Sequence, residues 1–172
     1  MRGLIPTDPS RMSPEEFLRS LAQVPWFGRL GEPSPRDHQV ARIRDWHEWP
    51  GPESPQVREL GPRTQAWHDE LTEGTGPRKP EVEALWEQIR RVVFERACGA
   101  VPYDPGEDTW HGPTAAVWQA AWVAGVVGCS LLLEREIPSE AIAQWSWFVE
   151  GHWPCGYAYD PVEDEPVVLK VL

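Results

Sequence analysis

The sequence predicts a mainly α-helical single domain, residues 1–172, in which about five helices surround a buried apolar helix at 114–133. Three observations predict this class. The chain has 172 residues, of which 41% are hydrophobic, so it can build one core. Residues 114–133 carry no charge, and three other stretches space their apolar side chains with helical periodicity. An irregular or short β segment is expected to close the C-terminus.

The first predicted helix begins after Ser13, which is a good capping residue, and Pro14 suits its first position. Glu15 and Glu16 follow in the first turn, where the helix dipole favours acidic side chains. Pro25 ends the helix. Its apolar side chains at helical spacing are Phe17, Leu18, Leu21 and Val24.

Residues 26–62 form a Pro/Trp-rich stretch with six prolines around a short polar helix candidate at 36–45. Because disordered linkers seldom carry so many aromatic side chains, we expect an ordered, irregular wrap.

Further helices are predicted at 63–72, 80–98, 114–133 and 138–150, and Gly151 is expected to end the last one. The segment 80–98 is the most regular, since it has one apolar stripe and charged residues outside it. That stripe contains Val82, Leu85, Trp86, Ile89, Val92, Val93 and Ala97. Residues 151–172 are a turn-rich acidic tail, in which 167–172 prefers a β-strand.

The uncharged run 114–133 is long enough to span a bilayer. Trp118 and Trp122 lie inside this run rather than at its ends, and seven of its 20 residues are Ala or Gly, which favours a buried helix of a soluble protein. The N-terminus lacks the apolar region of a secretory signal. Three widely spaced cysteines without a CxxC pair are typical of a reducing cytoplasm, which is the localisation we predict.

Charge is divided unevenly along the chain. Residues 1–100 carry 14 basic and 16 acidic side chains, whereas residues 101–172 carry 2 basic and 11 acidic ones. The surplus of acidic over basic side chains argues against binding to nucleic acid or to an anionic membrane. The acidic side chains of residues 101–172 are either solvated loop charges or a docking face for a basic protein. Seven of them form two clusters: Asp104, Glu107 and Asp108, then Asp160, Glu163, Asp164 and Glu165.

Nine of the eleven tryptophans fall into two groups. Trp86, Trp118, Trp122 and Trp145 lie on apolar helical faces and are predicted in the core. The others either attach loops to the body or anchor an interface, where Trp is over-represented. This second group contains Trp26, Trp46, Trp49, Trp110 and Trp153.

No catalytic motif is present: the sequence has no HExxH, no GxSxG and no phosphate-binding loop. We therefore predict no catalytic residues, no metal site and no cofactor. The alternative is a small metal- or thiol-dependent enzyme that uses His152, Cys155 and His111, with Asp104 or Asp108 as a further ligand.

The run from Trp147 to Tyr157, WFVEGHWPCGY, resembles the C-terminal module of small bacterial immunity-type proteins. These are encoded beside polymorphic toxins of Rhs or type VI secretion systems. The chain departs from that pattern by inserting residues 160–166 before its last predicted strand. The resemblance implies a protein that binds its cognate toxin in the cytoplasm and blocks it, and it supplies no catalytic residues.

The residues support the same hypothesis, because carboxylates can occupy the basic cleft of a toxin. The two acidic clusters are the predicted toxin-binding residues, with Trp110 and Trp153 as apolar anchors. A second alternative is a self-associating adaptor that pairs through the edge of the strand 167–172. The sequence leaves the oligomeric state open.

Overall fold

A computed structural model describes residues 4–28, 41–42, 55–73, 75–101, 112–158 and 168–171, and its architecture is mainly α-helical, as predicted. A short 3₁₀ turn, Gly76–Arg78, precedes the third helix. The elements in chain order are α1 Pro14–Leu21, β1 Ala41–Arg42, α2 Pro55–Glu73, α3 Lys79–Ala97, α4 Gly112–Leu132, α5 Ser139–Glu150, β2 Pro154–Ala158 and β3 Val168–Val171.

Helix α4 is the centre of the fold and contacts each of the other four helices. Between Ala116 and Ser130 almost every residue is buried. A helix that is apolar on all sides needs neighbours on all sides, which explains the arrangement of the bundle around it. The predicted central helix is thus confirmed. No helix among the described residues is both long enough and apolar enough to cross a membrane.

Helix α1 begins with the predicted cap. The Ser13 hydroxyl accepts a hydrogen bond from the Glu16 backbone N–H at 3.2 Å, and the Glu16 carboxylate accepts one from the Ser13 N–H at 2.8 Å. This reciprocal pair satisfies two backbone donors that the first turn leaves open. Phe17 and Leu21 are then buried, and the Phe17 ring lies 4.8 Å from that of Trp145.

Two predictions in the Pro/Trp-rich stretch are corrected. Helix α2 begins at Pro55, not at residue 63, and continues through Pro62. An interior proline keeps the helical φ, but it removes one backbone hydrogen bond and its ring clashes with the carbonyl of the residue four positions earlier, so it can kink a helix without ending it. The prediction of a helix at 36–45 is wrong for Ala41–Arg42, because these two residues are extended and pair with β3. The rest of that candidate lies outside the described residues, as do Trp46 and Trp49.

The three strands form one small sheet in the order β1-β3-β2. Strand β1 pairs parallel with β3, with Ala41 opposite Lys170, and β2 pairs antiparallel, with Tyr157 opposite Leu169. The predicted C-terminal strand is therefore confirmed, but it is the central strand. Strand β3 pairs on both sides within this chain, and the alternative of a self-associating adaptor stays a prediction.

Helix α5 ends at Gly151, whose φ of 84° lies in the left-handed region that favours glycine. The Gly151 N–H donates to the Phe148 carbonyl, and the His152 N–H donates to the Trp147 carbonyl at 2.8 Å. These two bonds form a Schellman motif. The motif turns the chain back toward the core, so that His152 and Trp153 are buried immediately after the helix.

Candidate protein-binding surface

Five aromatic side chains of α2, α3 and α4 lie together in two groups. The ring centroid of His68 is 4.4 Å from that of Trp86 and 4.9 Å from that of Trp122, and the two indoles are 5.3 Å apart. Phe94 and Trp118 form an edge-to-face pair at 4.8 Å. We call the set the aromatic ribbon: His68, Trp86, Phe94, Trp118 and Trp122.

The spacing of these residues places them on one side of each helix. Trp118 and Trp122 are four residues apart on α4, and Trp86 and Phe94 are eight apart on α3, so each pair recurs on the same face. Helix α3 approaches α4 closely at Gly125, where a Cβ would overlap the Trp86 ring. Gly125 thus allows the aromatic side chains of α3 to contact those of α4.

The ribbon is only half-buried, which corrects the prediction that its tryptophans belong to the core. Trp145 is fully buried, as predicted. Trp86, Trp118 and Trp122 keep part of their surface in solvent. Trp86 lies at the border of the apolar face of α3, and the elements around α4 leave part of Trp118 and Trp122 uncovered. An apolar periodicity identifies a face but does not locate its border.

Carboxylates follow His68 on α2, and that of Asp69 contacts the His68 ring. Glu70 and Glu73 are exposed, and neither has an ion-pair partner among the described side chains. Asp69 accepts a hydrogen bond from Gln65 at 2.7 Å, and its carboxylate oxygen lies 3.3 Å from the His68 ring nitrogen. The last turn of α2 has no basic residue.

On α3 the side chains of Arg90 and Glu87 form an ion pair. The Arg90 guanidinium donates twice to the Glu87 carboxylate, from Nε at 3.0 Å and from Nη2 at 2.9 Å. These bonds lower the pKa of Glu87 and raise that of Arg90. The guanidinium also lies 5.9 Å from the Phe94 ring centroid, which is within cation–π range. The described surface thus already contains one arginine stacked on an aromatic ring.

Most of the predicted toxin-binding residues lie outside the described part of the chain. One cluster falls between α3 and α4, and the other falls between β2 and β3. The residues concerned are Asp104, Glu107, Asp108, Trp110, Asp160, Glu163, Asp164 and Glu165. Their role therefore stays a prediction.

Trp153 is the exception, and its predicted role as an exposed anchor is corrected. The side chain is only 2% exposed. Its ring stacks on Phe148, with centroids 5.0 Å apart and planes 5° from parallel, and meets Phe27 at 6.0 Å. Trp153 attaches the segment after α5 to the core. This is the first of the two alternatives for the loop tryptophans, in which they attach loops to the body of the protein. Trp26 does the same for the segment after α1, since it is 5% exposed and lies 5.4 Å from Phe148.

The alternative enzyme site is described only in part. His152 is fully buried, and its ring lies 6.3 Å from that of Trp147. His111 and the side chain of Cys155 are outside the described residues. Within the described ranges, no three His, Cys, Asp or Glu side chains are placed to share a metal ion.

The two described cysteines are weak nucleophiles. Burial raises the pKa of Cys98 and raises that of Cys129 to about 12, because a thiolate loses hydration inside the bundle. Cys129 is 1% exposed, which confirms that it is a buried thiol, whereas Cys98 is half-buried.

Comparisons with known proteins identify no family. No protein-family model matches the chain, and the searches of curated proteins and of solved structures found no match either.

Proposed function

We propose that this chain is an immunity-type protein that binds a cognate bacterial toxin domain in the cytoplasm and neutralises it. The acidic surplus carries the proposal: residues 101–172 hold 11 acidic side chains against 2 basic ones. A toxin that acts on nucleic acid or another anionic substrate needs a basic cleft. Carboxylates that enter that cleft oppose substrate binding and increase the association rate of the inhibitor.

The scaffold around the two acidic segments supports this mode of action. Val101, immediately before the first segment, is 6% exposed, and Ala116 in the first turns of α4 is fully buried. The second segment joins β2 to β3, which are paired with each other. Segments that a rigid scaffold holds at both ends are common locations for binding residues.

The resemblance to immunity-type proteins over Trp147–Tyr157 gives the partner its identity as a toxin. The buried side chains of this run support a structural role for it, since Trp147, Phe148, His152 and Trp153 all lie in the interior. In this proposal the run stabilises the scaffold, and the acidic segments, with Trp110, make the contact.

Affinity capture tests the proposal. The tagged chain is used to capture proteins from the lysate of its own host, at low and then at high salt. We expect one stoichiometric partner that is lost at high salt, that stops growth when produced alone, and that is harmless when produced together with this chain. A partner whose toxicity persists in the presence of the chain, or the absence of any toxic partner, would refute the proposal.

A further inference from the structure

The segment before α1 is loosely packed against the helix bundle. It borders two cavities of about 590 and 570 Å³, and Leu4, Ile5 and Gln23 line both of them. Leu4 is 98% exposed, whereas Ile5 is half-buried and packs against the core. We call residues 4–7 the strap. Its main apolar anchor is therefore a single side chain, with unfilled space beside it.

One hydrogen bond links the strap to the bundle. The Trp145 indole Nε1 donates to the Pro6 carbonyl oxygen at 3.1 Å. Among the described residues, no second hydrogen bond joins residues 4–7 to the rest of the chain. The sequence explains this, because proline has no backbone N–H and favours an extended backbone at the residue before it, which here is Ile5.

The chain immediately after the strap is held more firmly. The Asp8 carboxylate accepts a hydrogen bond from the Ser10 backbone N–H at 2.9 Å, and the Met12 N–H donates to the Pro9 carbonyl at 2.9 Å. Pro9 itself is buried. These contacts fix the base of the strap, so that the strap can move while the start of α1 stays in place.

The core beneath the strap has its own contacts. Trp145 is fully buried, and its ring lies 4.8 Å from that of Phe17, so α5 and α1 pack together through this pair. Both helices also contact α4. Displacing the strap removes one hydrogen bond and one half-buried anchor, and it leaves the contacts among the helices intact.

We propose that residues 4–7 are a displaceable strap, which leaves the edge of Trp145 while the helix bundle stays folded. Because Leu4 and Ile5 line both cavities, displacement merges the cavities into one cleft beside α1 and admits water to the Trp145 N–H. The strap thus controls access to this cleft, as expected of a segment from the low-stability end of a fold. The proposal is independent of the proposed function.

Hydrogen exchange of the Trp145 indole N–H in the full chain tests the proposal. Its signal in ¹H–¹⁵N spectra is identified by its contact with the Phe17 ring, and its exchange rate is measured at several urea concentrations below the unfolding transition. A local opening exposes little surface, so its rate hardly changes with urea, whereas exchange through global unfolding accelerates steeply. We expect a nearly constant rate for the Trp145 indole and a steep rise for the buried Val123 amide in α4. The same steep dependence for both would overturn the proposal.

Ile5→Ala and Leu4→Ala form a matched pair that identifies the strap as the moving part. Both shorten an apolar side chain of the strap to a methyl group, but only Ile5 packs against the core. We expect Ile5→Ala to accelerate exchange of the Trp145 indole about tenfold, and Leu4→Ala to accelerate it less than about twofold. If a variant fails to fold, the urea series on the wild-type chain still decides. Equal acceleration by the two variants, or none by either, would overturn the proposal.

Discussion

The indole ring of Trp86 lies against the backbone of Gly125, in the space that a Cβ atom would occupy. Three residues further along each helix, Ile89 lies against Gly128 in the same way. These two contacts set the close approach of α3 to α4, and with it the position of the aromatic ribbon. The interface is thus built from two large side chains of α3 opposite two glycines of α4.

Gly125→Ala is expected to destabilise the protein by roughly 1–3 kcal/mol, because the new methyl group must displace the Trp86 ring from a packed interface. Urea unfolding measures the change. Gly99→Ala is the matched control, since its Cβ would meet nothing nearer than the Arg96 carbonyl oxygen at 3.5 Å. Similar unfolding midpoints for the two variants would refute this account of the α3–α4 interface.

Trp153→Ala is expected to cost about 3–5 kcal/mol, since it removes a large buried ring that stacks on Phe148. Trp153→Phe should cost less, because it keeps an aromatic partner for the stack. Thermal unfolding compares the two. If Trp153→Ala left stability unchanged while it weakened partner binding, Trp153 would be an interface anchor after all.

The Glu16 carboxylate is expected to titrate below its ordinary pKa, chiefly because it accepts the hydrogen bond from the Ser13 backbone N–H. A lowered folded-state pKa means that this contribution to stability is present above the unfolded-state pKa and is lost as the pH falls through the folded value. An NMR titration of the Glu16 side chain measures it. Ser13→Ala keeps this backbone N–H and removes only the hydroxyl, so the midpoint should move only part of the way toward the ordinary value. A wild-type midpoint at the ordinary value would argue against the capping box.

Cys129 should resist alkylation in the folded protein at mildly alkaline pH, since burial raises its pKa to about 12. Cys98 should react faster, because it is only half-buried. Mass spectrometry after timed treatment with iodoacetamide, with and without urea, gives both rates. Equally fast labelling of the two cysteines in the native protein would contradict the buried position of α4.

The sequence alone predicted the features that depend on local chemistry. The cap at Ser13, the glycine at 151 and the apolar run of α4 follow from hydrogen bonding, positive φ and burial, and all three are observed. The return bond from Glu16, which completes a capping box, is seen only in the structure. Helix α2 differs, because a proline usually marks a helix boundary in a sequence, whereas this helix continues through Pro62.

The candidate surface could be predicted only in part. Periodicity placed Trp86, Trp118 and Trp122 on apolar faces, but their half-buried state depends on how three helices meet, and Trp153 depends on a stack with Phe148 from a neighbouring element. Loop position alone does not distinguish a tryptophan that attaches a segment to the core from one that binds a partner. The acidic surplus, in contrast, is a property of the sequence itself.

The association rate between this chain and its captured toxin domain, measured across a range of salt concentrations, tests the central claim most directly. The wild-type chain is compared with a variant in which the seven clustered carboxylates are replaced by lysine, once unfolding experiments show that the two are equally stable. We predict a wild-type rate that falls steeply with salt and a variant rate slower by about tenfold or more, with loss of protection against the toxin. A rate that is independent of salt, together with full protection by the variant, would contradict the proposal that acidic segments neutralise a basic toxin.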